Sequence, residues 1–283
     1  MSFGVRELRE TDRVAVENLL ERADLYETVL LVGAVKGFET FPGWWYGSLR
    51  DGRKLEAMMS IHDRRAILYS ESNDTLEAMA THRRKEQEYI TTAASHRHTI
   101  IGPKSVIDPF WSIFRELRRQ LVSDSQSMLM VSTGEGSCAS KRIAMGFGKE
   151  EDLGLITEFE ALRILEDTGQ DPRRGGGVAH SHQCALAVRS GRQVIGREGA
   201  KPAFVAQIRS VAPNKVLLDH VYVPNAYRTR KRLIGGALFK LKYAPPVRDK
   251  ELLFFADSET LKIAAETAGY VAKIPYRKIV TVG

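Results

Sequence analysis

Residues 215–243 read KVLLDHVYVPNAYRTRKRLIGGALFKLKY and show a pattern of strand, turn and helix. Residues 216–223 are rich in valine, leucine and tyrosine and predict a strand. Residues 232–243 repeat apolar side chains at helical spacing and predict a helix that ends before Pro245-Pro246. Four of the five residues 228–232 in the intervening turn are basic. This turn is therefore a candidate contact for phosphate groups.

The elements around this stretch predict an α/β (α+β) domain over residues 137–283. In chain order they are a helix at 150–167, a strand at 184–188, a loop from 190 to 199, strands at 203–211 and 216–223, a helix at 232–243, a strand at 252–256, a helix at 259–268 and a strand at 279–282. A meander followed by alternating helices and strands indicates a central mixed sheet flanked by helices.

The first half predicts a second α/β domain over residues 1–136. Its expected elements are a hairpin of strands 44–49 and 55–61 around Asp51-Gly52, a strand at 65–69, a helix from residue 73 to about 88, a strand at 99–101, a helix opening at Asp108-Pro109 and a strand at 128–131. The small, glycine-rich segment 132–137 predicts a linker. We place the domain boundary between residues 136 and 137.

Composition limits the classes of function without choosing one. The 283 residues carry a formal net charge of +7, which favours anionic partners. No stretch reaches the roughly 18 apolar residues of a membrane span, and the first residues lack a signal-peptide pattern, so we expect a cytoplasmic protein without a membrane partner. Cys138 and Cys184 are far apart, and no metal site is predicted.

The stretch at 215–243 resembles the acetyl-CoA motif of the GNAT N-acetyltransferases. That motif is a strand, then Arg/Gln-x-x-Gly-x-Gly/Ala, then a helix, and Arg228 stands at its first position. Glu166-Asp167-Thr168-Gly169 is similar to a Glu-Glu-x-Gly element of two-domain bacterial GNAT proteins. These resemblances, with weaker ones over residues 14–131, imply a GNAT domain at the C-terminus. They leave open whether the N-terminal domain is a degenerate GNAT repeat.

The resemblance also implies a site for the acyl donor. The strand would splay from its neighbour, and the backbone of Val221, Tyr222 and Val223 would pair with the pantetheine arm. The turn and the helix N-terminus would hold the phosphates. Five residues are candidates for that contact: Arg228, Thr229, Arg230, Lys231 and Arg232.

Three motif positions depart from the family pattern. Thr229, Lys231 and Leu233 stand where small residues, mostly glycine, are usual. Alignment on Gly269-Tyr270 places Ala265 where many of these enzymes carry a tyrosine as general acid. These departures favour, by a small margin, an aminoacyl-tRNA as donor, because aminolysis of its ester needs a deprotonated amine and a stabilised oxyanion more than a strong acid. An acyl-CoA donor and a non-catalytic GNAT-fold binding module are the alternatives.

Four residues are candidates for the chemistry and for the small-molecule amine acceptor. His220 and Asp219 precede the turn and alternate in direction along a strand, so we expect one of them to face the site. His220 suits a base acting near neutral pH. Glu166 and Asp167 end the first helix of the domain, in a region that lines the acceptor pocket in GNAT folds. Basic clusters at 83–85, 118–119 and 173–174 are candidate contacts for tRNA.

Overall fold

The computed structural model describes residues 3–36, 43–62, 65–89, 97–114, 120–169, 171–174, 176–245 and 247–282. The chain divides into two compact units, one of residues 1–127 and 274–283 and the other of residues 128–273. The predicted domain boundary between residues 136 and 137 stays a prediction. Within the described ranges, no helix combines the length and the apolar character that a membrane span requires.

The first unit consists of helices packed on a mixed sheet. In chain order its elements are β1 (Phe3–Leu8), a 3-10 helix (Glu10–Asp12), α1 (Arg13–Arg22), α2 (Leu25–Lys36), β2 (Trp44–Arg50), β3 (Lys54–His62), β4 (Arg65–Ser70), α3 (Asn73–Tyr89), β5 (Arg97–Pro103), α4 (Lys104–Phe114) and the start of β6 (Gln120–Ser132). Its strand order is β1-β2-β3-β4-β5 followed by the end of the last strand of the chain, and only β4 and β5 are parallel.

The second unit repeats this order of elements. After the end of β6 come β7 (Ile143–Phe147), a 3-10 helix (Glu150–Asp152), α5 (Leu153–Thr168), α6 (Val178–Arg189), β8 (Gln193–Glu198), β9 (Lys201–Ala212), β10 (Lys215–Tyr222), a 3-10 helix (Asn225–Tyr227), α7 (Lys231–Leu241), β11 (Glu251–Ala256), α8 (Glu259–Thr267) and β12 (Tyr270–Val282). Its strand order is β6-β11-β10-β9-β8-β7, and only β10 and β11 are parallel. The predicted mixed sheet flanked by helices is confirmed.

Alternating side chains place helices on both faces of the second sheet. Phe204 and Ala206 of β9 belong to the large buried cluster that includes α7 and α8. Val205, between them, joins Phe159 of α5 in another cluster. Because successive side chains of a strand point to opposite faces, α7 and α8 cover one face and α5 covers the other.

Two predicted elements of the second half are wrong. Residues 184–188 are helical, not a strand, because Cys184 and Val188 stand four residues apart and both pack on Ile156. The loop expected from 190 to 199 contains β8. Gly196 lies inside that strand, where a side chain would reach to within 2.7 Å of the Met145 sulfur. Close packing, and not a turn, therefore explains this glycine.

The predictions for α4 and for segment 132–137 also need correction. α4 begins at Lys104, four residues before Asp108, and the pair forms a salt bridge at helical spacing. The glycine-rich segment 132–137 is hydrogen-bonded to the end of α8 and is not a free linker. Thr133 N donates to Gly269 O over 2.7 Å, and Ser137 N donates to Thr267 O over 3.2 Å.

Candidate functional site

The central strand of the second unit separates from its parallel neighbour. The pairing of β10 with β11 ends at Leu218 and Phe254, although β10 continues to Tyr222 and β11 to Ala256. Beyond this point β11 stays paired with β6 on its other side. Residues 219–222 and 255–256 therefore line an opening between two strands, which we call the β10–β11 fork. The predicted splaying of this strand is observed.

A bulge at the base of the β10–β11 fork redirects the candidate catalytic residues. Asp219 pairs with Gln207 and Tyr222 with Val205, so His220 and Val221 oppose the single residue Ala206. His220 adopts a left-handed backbone, with φ of 55°. This conformation breaks the alternation expected for Asp219 and His220. The two side chains instead lie together, with His220 Nε2 3.6 Å from Asp219 Oδ2.

The imidazole of His220 also contacts a buried carboxylate that the sequence analysis did not single out. Its Nδ1 atom lies 3.4 Å from Oε2 of Glu160, a residue of α5 that is 6% exposed. Arg163, one turn further along α5, donates from Nε to the same oxygen over 3.0 Å. Asp219 in turn pairs with Arg209 of β9 at 3.2 Å. His220 thus lies between two carboxylates, each of which has an arginine partner.

Opposing influences act on the buried carboxyl of Glu160. Burial by itself raises its pKa, but the hydrogen bond from His220 and the charge of Arg163 outweigh burial and lower the pKa below its ordinary value of 4.5. Glu160 is therefore ionised at neutral pH. Its other oxygen, Oε1, is buried without a hydrogen bond from the described residues. Carboxylates therefore lie beside both ring nitrogens of His220, Glu160 at Nδ1 and Asp219 at Nε2.

Arg228, the first residue of the motif, connects the turn to α5. Its Nε donates to Val223 O over 2.9 Å, and its Nη2 donates to Glu166 Oε2 over 2.5 Å. The guanidinium also lies over the ring of Tyr222, whose hydroxyl is 3.4 Å from Glu166 Oε1. Burial, and then the charge of Glu166, raise the pKa of Tyr222. Arg228 and Glu166, predicted to serve donor and acceptor, are thus bound to each other.

The other basic residues of the turn divide into paired and solvent-facing ones. Arg230 forms a bidentate pair with Glu198 of β8, at 2.5 and 2.6 Å. Lys231 and Arg232 are exposed in the first turn of α7, and neither forms an ion pair with a described residue. Thr229 is exposed as well. Two cations therefore remain on the surface where donor phosphates are expected.

The residues at the start of α7 show what replaces the small residues of the family motif. Leu233, at the usual small position, is buried in the same cluster as Val223 and Tyr227. Gly235 and Gly236 serve packing, since a side chain on them would lie 2.9 Å from Ala264 O and 2.7 Å from Ser140 O. Lys231 leaves its side chain in solvent. A backbone cradle built on glycines is thus replaced by a surface that offers basic side chains.

The remaining predicted residues are placed as follows. Val221 packs against the large cluster on the α7 face, and Val223 is buried within it. Ala265 of α8 is buried, and Lys262 lies beside Glu259, so α8 offers no tyrosine at the expected place. The side chain of Asp167 lies outside the described part of the chain, as do the clusters 84–85 and 118–119. Arg173 pairs with Asp171 at 2.8 Å.

The first unit has a similar opening, because the pairing of β4 with β5 ends at Ile67 and Ile101, but its described segment 65–89 lacks the bulge and the basic turn. Its strands β3 and β4 pair without a register shift, from Ala57 opposite Ser70 to His62 opposite Arg65. Only Glu71 and Ser72 separate β4 from α3, and neither is basic. The bulge and the basic turn occur at the matching position of the second unit alone.

No family model and no curated protein matches the sequence. Among solved structures, a GCN5-related N-acetyltransferase from Sphaerobacter thermophilus is 14% identical with a TM-score of 0.63, covering 98% of this chain and 95% of its own. A GNAT-family acetyltransferase from Colwellia psychrerythraea is 10% identical with a TM-score of 0.58, covering 99% and 98%. A tandem GNAT protein from the clavulanic acid biosynthesis pathway is 10% identical with a TM-score of 0.56, covering 99% and 98%.

The chain has the GNAT fold. The match over nearly the whole chain includes a tandem GNAT protein, which fits the repeated order of elements in the two units. The GNAT fold inferred from residues 215–243 is therefore confirmed. Identities of 10 to 14% in these comparisons establish the fold alone.

Glu160 is the main site residue that sequence reasoning missed. A glutamate in an amphipathic helix is ordinarily exposed, and Glu158, two residues before Glu160, is exposed. One signal was present in the sequence. Glu160 follows Ile156 by four residues and precedes Arg163 by three, which places it on the buried face of α5. A charged residue on the apolar face of a helix needs partners, and those of Glu160 are Arg163 and His220.

Proposed function

We propose that this chain is an N-acyltransferase that moves an acyl group from an acyl-CoA to an amine. The observation that carries the proposal is the β10–β11 fork with its bulge. The pairing of β10 with β11 ends at Leu218, four residues before the end of β10. An extended pantetheine arm can add there as a strand would, because strand edges present backbone donors and acceptors.

The donor's phosphates would meet the basic turn at the start of α7. Lys231 and Arg232 are exposed there, and the helix N-terminus adds its own attraction for anions. Arg228 and Arg230 can join once they exchange their carboxylate partners for phosphate. Because the contacts are made by side chains in solvent, we expect binding that weakens steeply with salt.

His220 is the base in this proposal. Glu160 holds a proton at Nδ1, so Nε2 can accept the proton that the amine loses as it attacks the acyl carbon. Asp219, 3.6 Å from Nε2, stabilises the imidazolium that results. Glu160 and Arg163 act through His220 and are positioning residues.

The leaving group favours a thioester over an ester. A thiol has a pKa of about 8.5, so a thiolate departs without a strong acid. An alcohol oxygen is far more basic, closer to water at about 15.7, and needs a proton as it leaves. Because Ala265 replaces the usual tyrosine, the site suits the easier leaving group. An acyl-CoA is therefore preferred as donor over the aminoacyl-tRNA that the sequence favours by a small margin.

The test is a donor assay with two arms. In one, acetyl-CoA and a panel of amines are incubated with the protein, and release of free CoA thiol is followed. In the other, charged tRNA replaces the thioester. We expect turnover in the first arm, loss of it in His220→Asn, and binding of CoA by calorimetry. Transfer in the tRNA arm alone would refute the acyl-CoA proposal, and binding without turnover in either arm would indicate a binding module.

A further inference from the structure

Arg228, a candidate for binding the donor, and Glu166, a candidate for binding the acceptor, form an ion pair with each other. Arg228 is the first residue of the motif, and Glu166 is the exposed carboxylate at the end of α5. Each satisfies the other, at 2.5 Å. Their side chains are 42% and 41% exposed, so ligands can reach both.

We propose that the Arg228–Glu166 pair couples the two substrates. An anionic donor that recruits Arg228 releases the carboxylate of Glu166, which then binds a cationic group of the acceptor. Each substrate thus binds more tightly when the other is present. This inference rests on the proposed acyl transfer and adds to it a charge requirement on the acceptor, a second cationic group besides the attacking amine.

The contacts of each partner suit such an exchange. Arg228 is anchored by its Nε atom on Val223 O, so the two terminal nitrogens can turn toward solvent while the stem stays in place. Glu166 keeps a second neighbour, because the Tyr222 hydroxyl lies 3.4 Å from its other oxygen. Tyr222 is itself fixed by packing on Phe159, with ring centroids 5.6 Å apart. The carboxylate therefore stays at the site after Arg228 has left.

The same turn provides a matched control. Arg230 and Glu198 form an equally close pair at 2.5 and 2.6 Å, but Glu198 lies on β8 and has no contact with Tyr222 among those described. Removing either carboxylate frees one arginine for the donor. Only removal of Glu166 should abolish the link to the acceptor.

The experiment measures the Kd of CoA by calorimetry at low ionic strength, with and without saturating 1,4-diaminobutane as the cationic probe. For wild type we expect the diamine to tighten CoA binding about two- to fivefold, as suits an exposed ion pair, and CoA to tighten diamine binding by the same factor. Glu166→Gln and Glu198→Gln should each bind CoA more tightly than wild type. Diaminobutane should still assist the Glu198→Gln protein and should no longer assist Glu166→Gln.

The outcomes separate this inference from the proposal beneath it. Binding of CoA that the diamine leaves unchanged in wild type, or assists equally in Glu166→Gln, overturns the coupling and leaves acyl-CoA transfer standing. Failure of the diamine to bind in the presence of CoA also overturns it. If no form of the protein binds CoA, the acyl-CoA proposal fails first and the coupling with it.

Discussion

Replacing Glu160 with glutamine tests the buried charge on which the proposed mechanism depends. The carboxylate receives a bond from Arg163 at 3.0 Å and faces His220 at 3.4 Å. Hydrogen bonds to charged groups contribute about 1.5–3 kcal/mol each, and the longer contact belongs at the low end. Glutamine keeps one neutral acceptor, worth about 1 kcal/mol, and burial of an amide costs less than burial of a charge. We therefore expect Glu160→Gln to lower the free energy of unfolding by about 2–3 kcal/mol at neutral pH.

The pH dependence of that loss identifies its cause. Because the folded-state pKa of Glu160 is lowered, its contribution is present above the unfolded value near 4.5 and is lost as the pH falls through the folded-state pKa. Urea unfolding at neutral and acidic pH should show the difference between wild type and variant shrinking in acid. Glu158→Gln, an exposed residue of the same helix, is the control and should change little at either pH. A difference that is the same at both pH values, or absent at neutral pH, would refute the assigned charge.

Three further predictions concern catalysis and packing. His220→Asn should lower kcat about 10²–10⁴-fold by removing the base, and asparagine tolerates the positive φ although loss of the Glu160 contact should cost about 1–2 kcal/mol; full activity in the thiol-release assay would exclude this role. Gly269→Ala should cost about 2–5 kcal/mol in urea unfolding, since its new carbon would lie 1.7 Å from Glu135 O at a φ of +82°, while Gly199→Ala, at a φ of +60° with open space, should cost about 1 kcal/mol. Equal losses would contradict the packing of segment 132–137. Ser258→Ala should destabilise by about 1 kcal/mol, because the Ser258 hydroxyl accepts from Leu261 N at the start of α8; an unchanged unfolding midpoint would refute this cap.

The fold followed from the sequence where buried periodicity was strong. The strand and helix of residues 215–243 are observed within one or two residues of their predicted ends, because their apolar residues are buried on one side or on both. The short edge strands β1 and β7 were not predicted. β7 pairs with β8 alone, and only Ile143 among its five residues is fully buried, so the sequence there carries little strand pattern.

The site was less accessible to sequence reasoning than the fold. Among the candidate residues, His220 contacts Asp219 and Arg228 contacts Glu166, but the position of His220 depends on one extra residue in β10. β10 shows no regular alternation of buried and exposed residues that a bulge could interrupt, and the contact of His220 with Glu160 is made across the fold. The sequence predicts that the basic residues of the turn are available to bind phosphate. In the structure, however, Arg228 already pairs with Glu166 and Arg230 with Glu198.

The repeated architecture explains which unit carries the site. The same turn follows β1 in the first unit and β7 in the second. Arg9 N donates to Asp12 over 2.9 Å in one, and Lys149 N donates to Asp152 over 3.0 Å in the other. Such agreement in backbone detail, together with the same order of elements, indicates an internal duplication. The first unit has an unbroken ladder between β3 and β4 and two residues before α3, while the second has a bulge and a basic turn. The two features to which we assign binding of an anionic donor therefore occur in only one of the two described sheets.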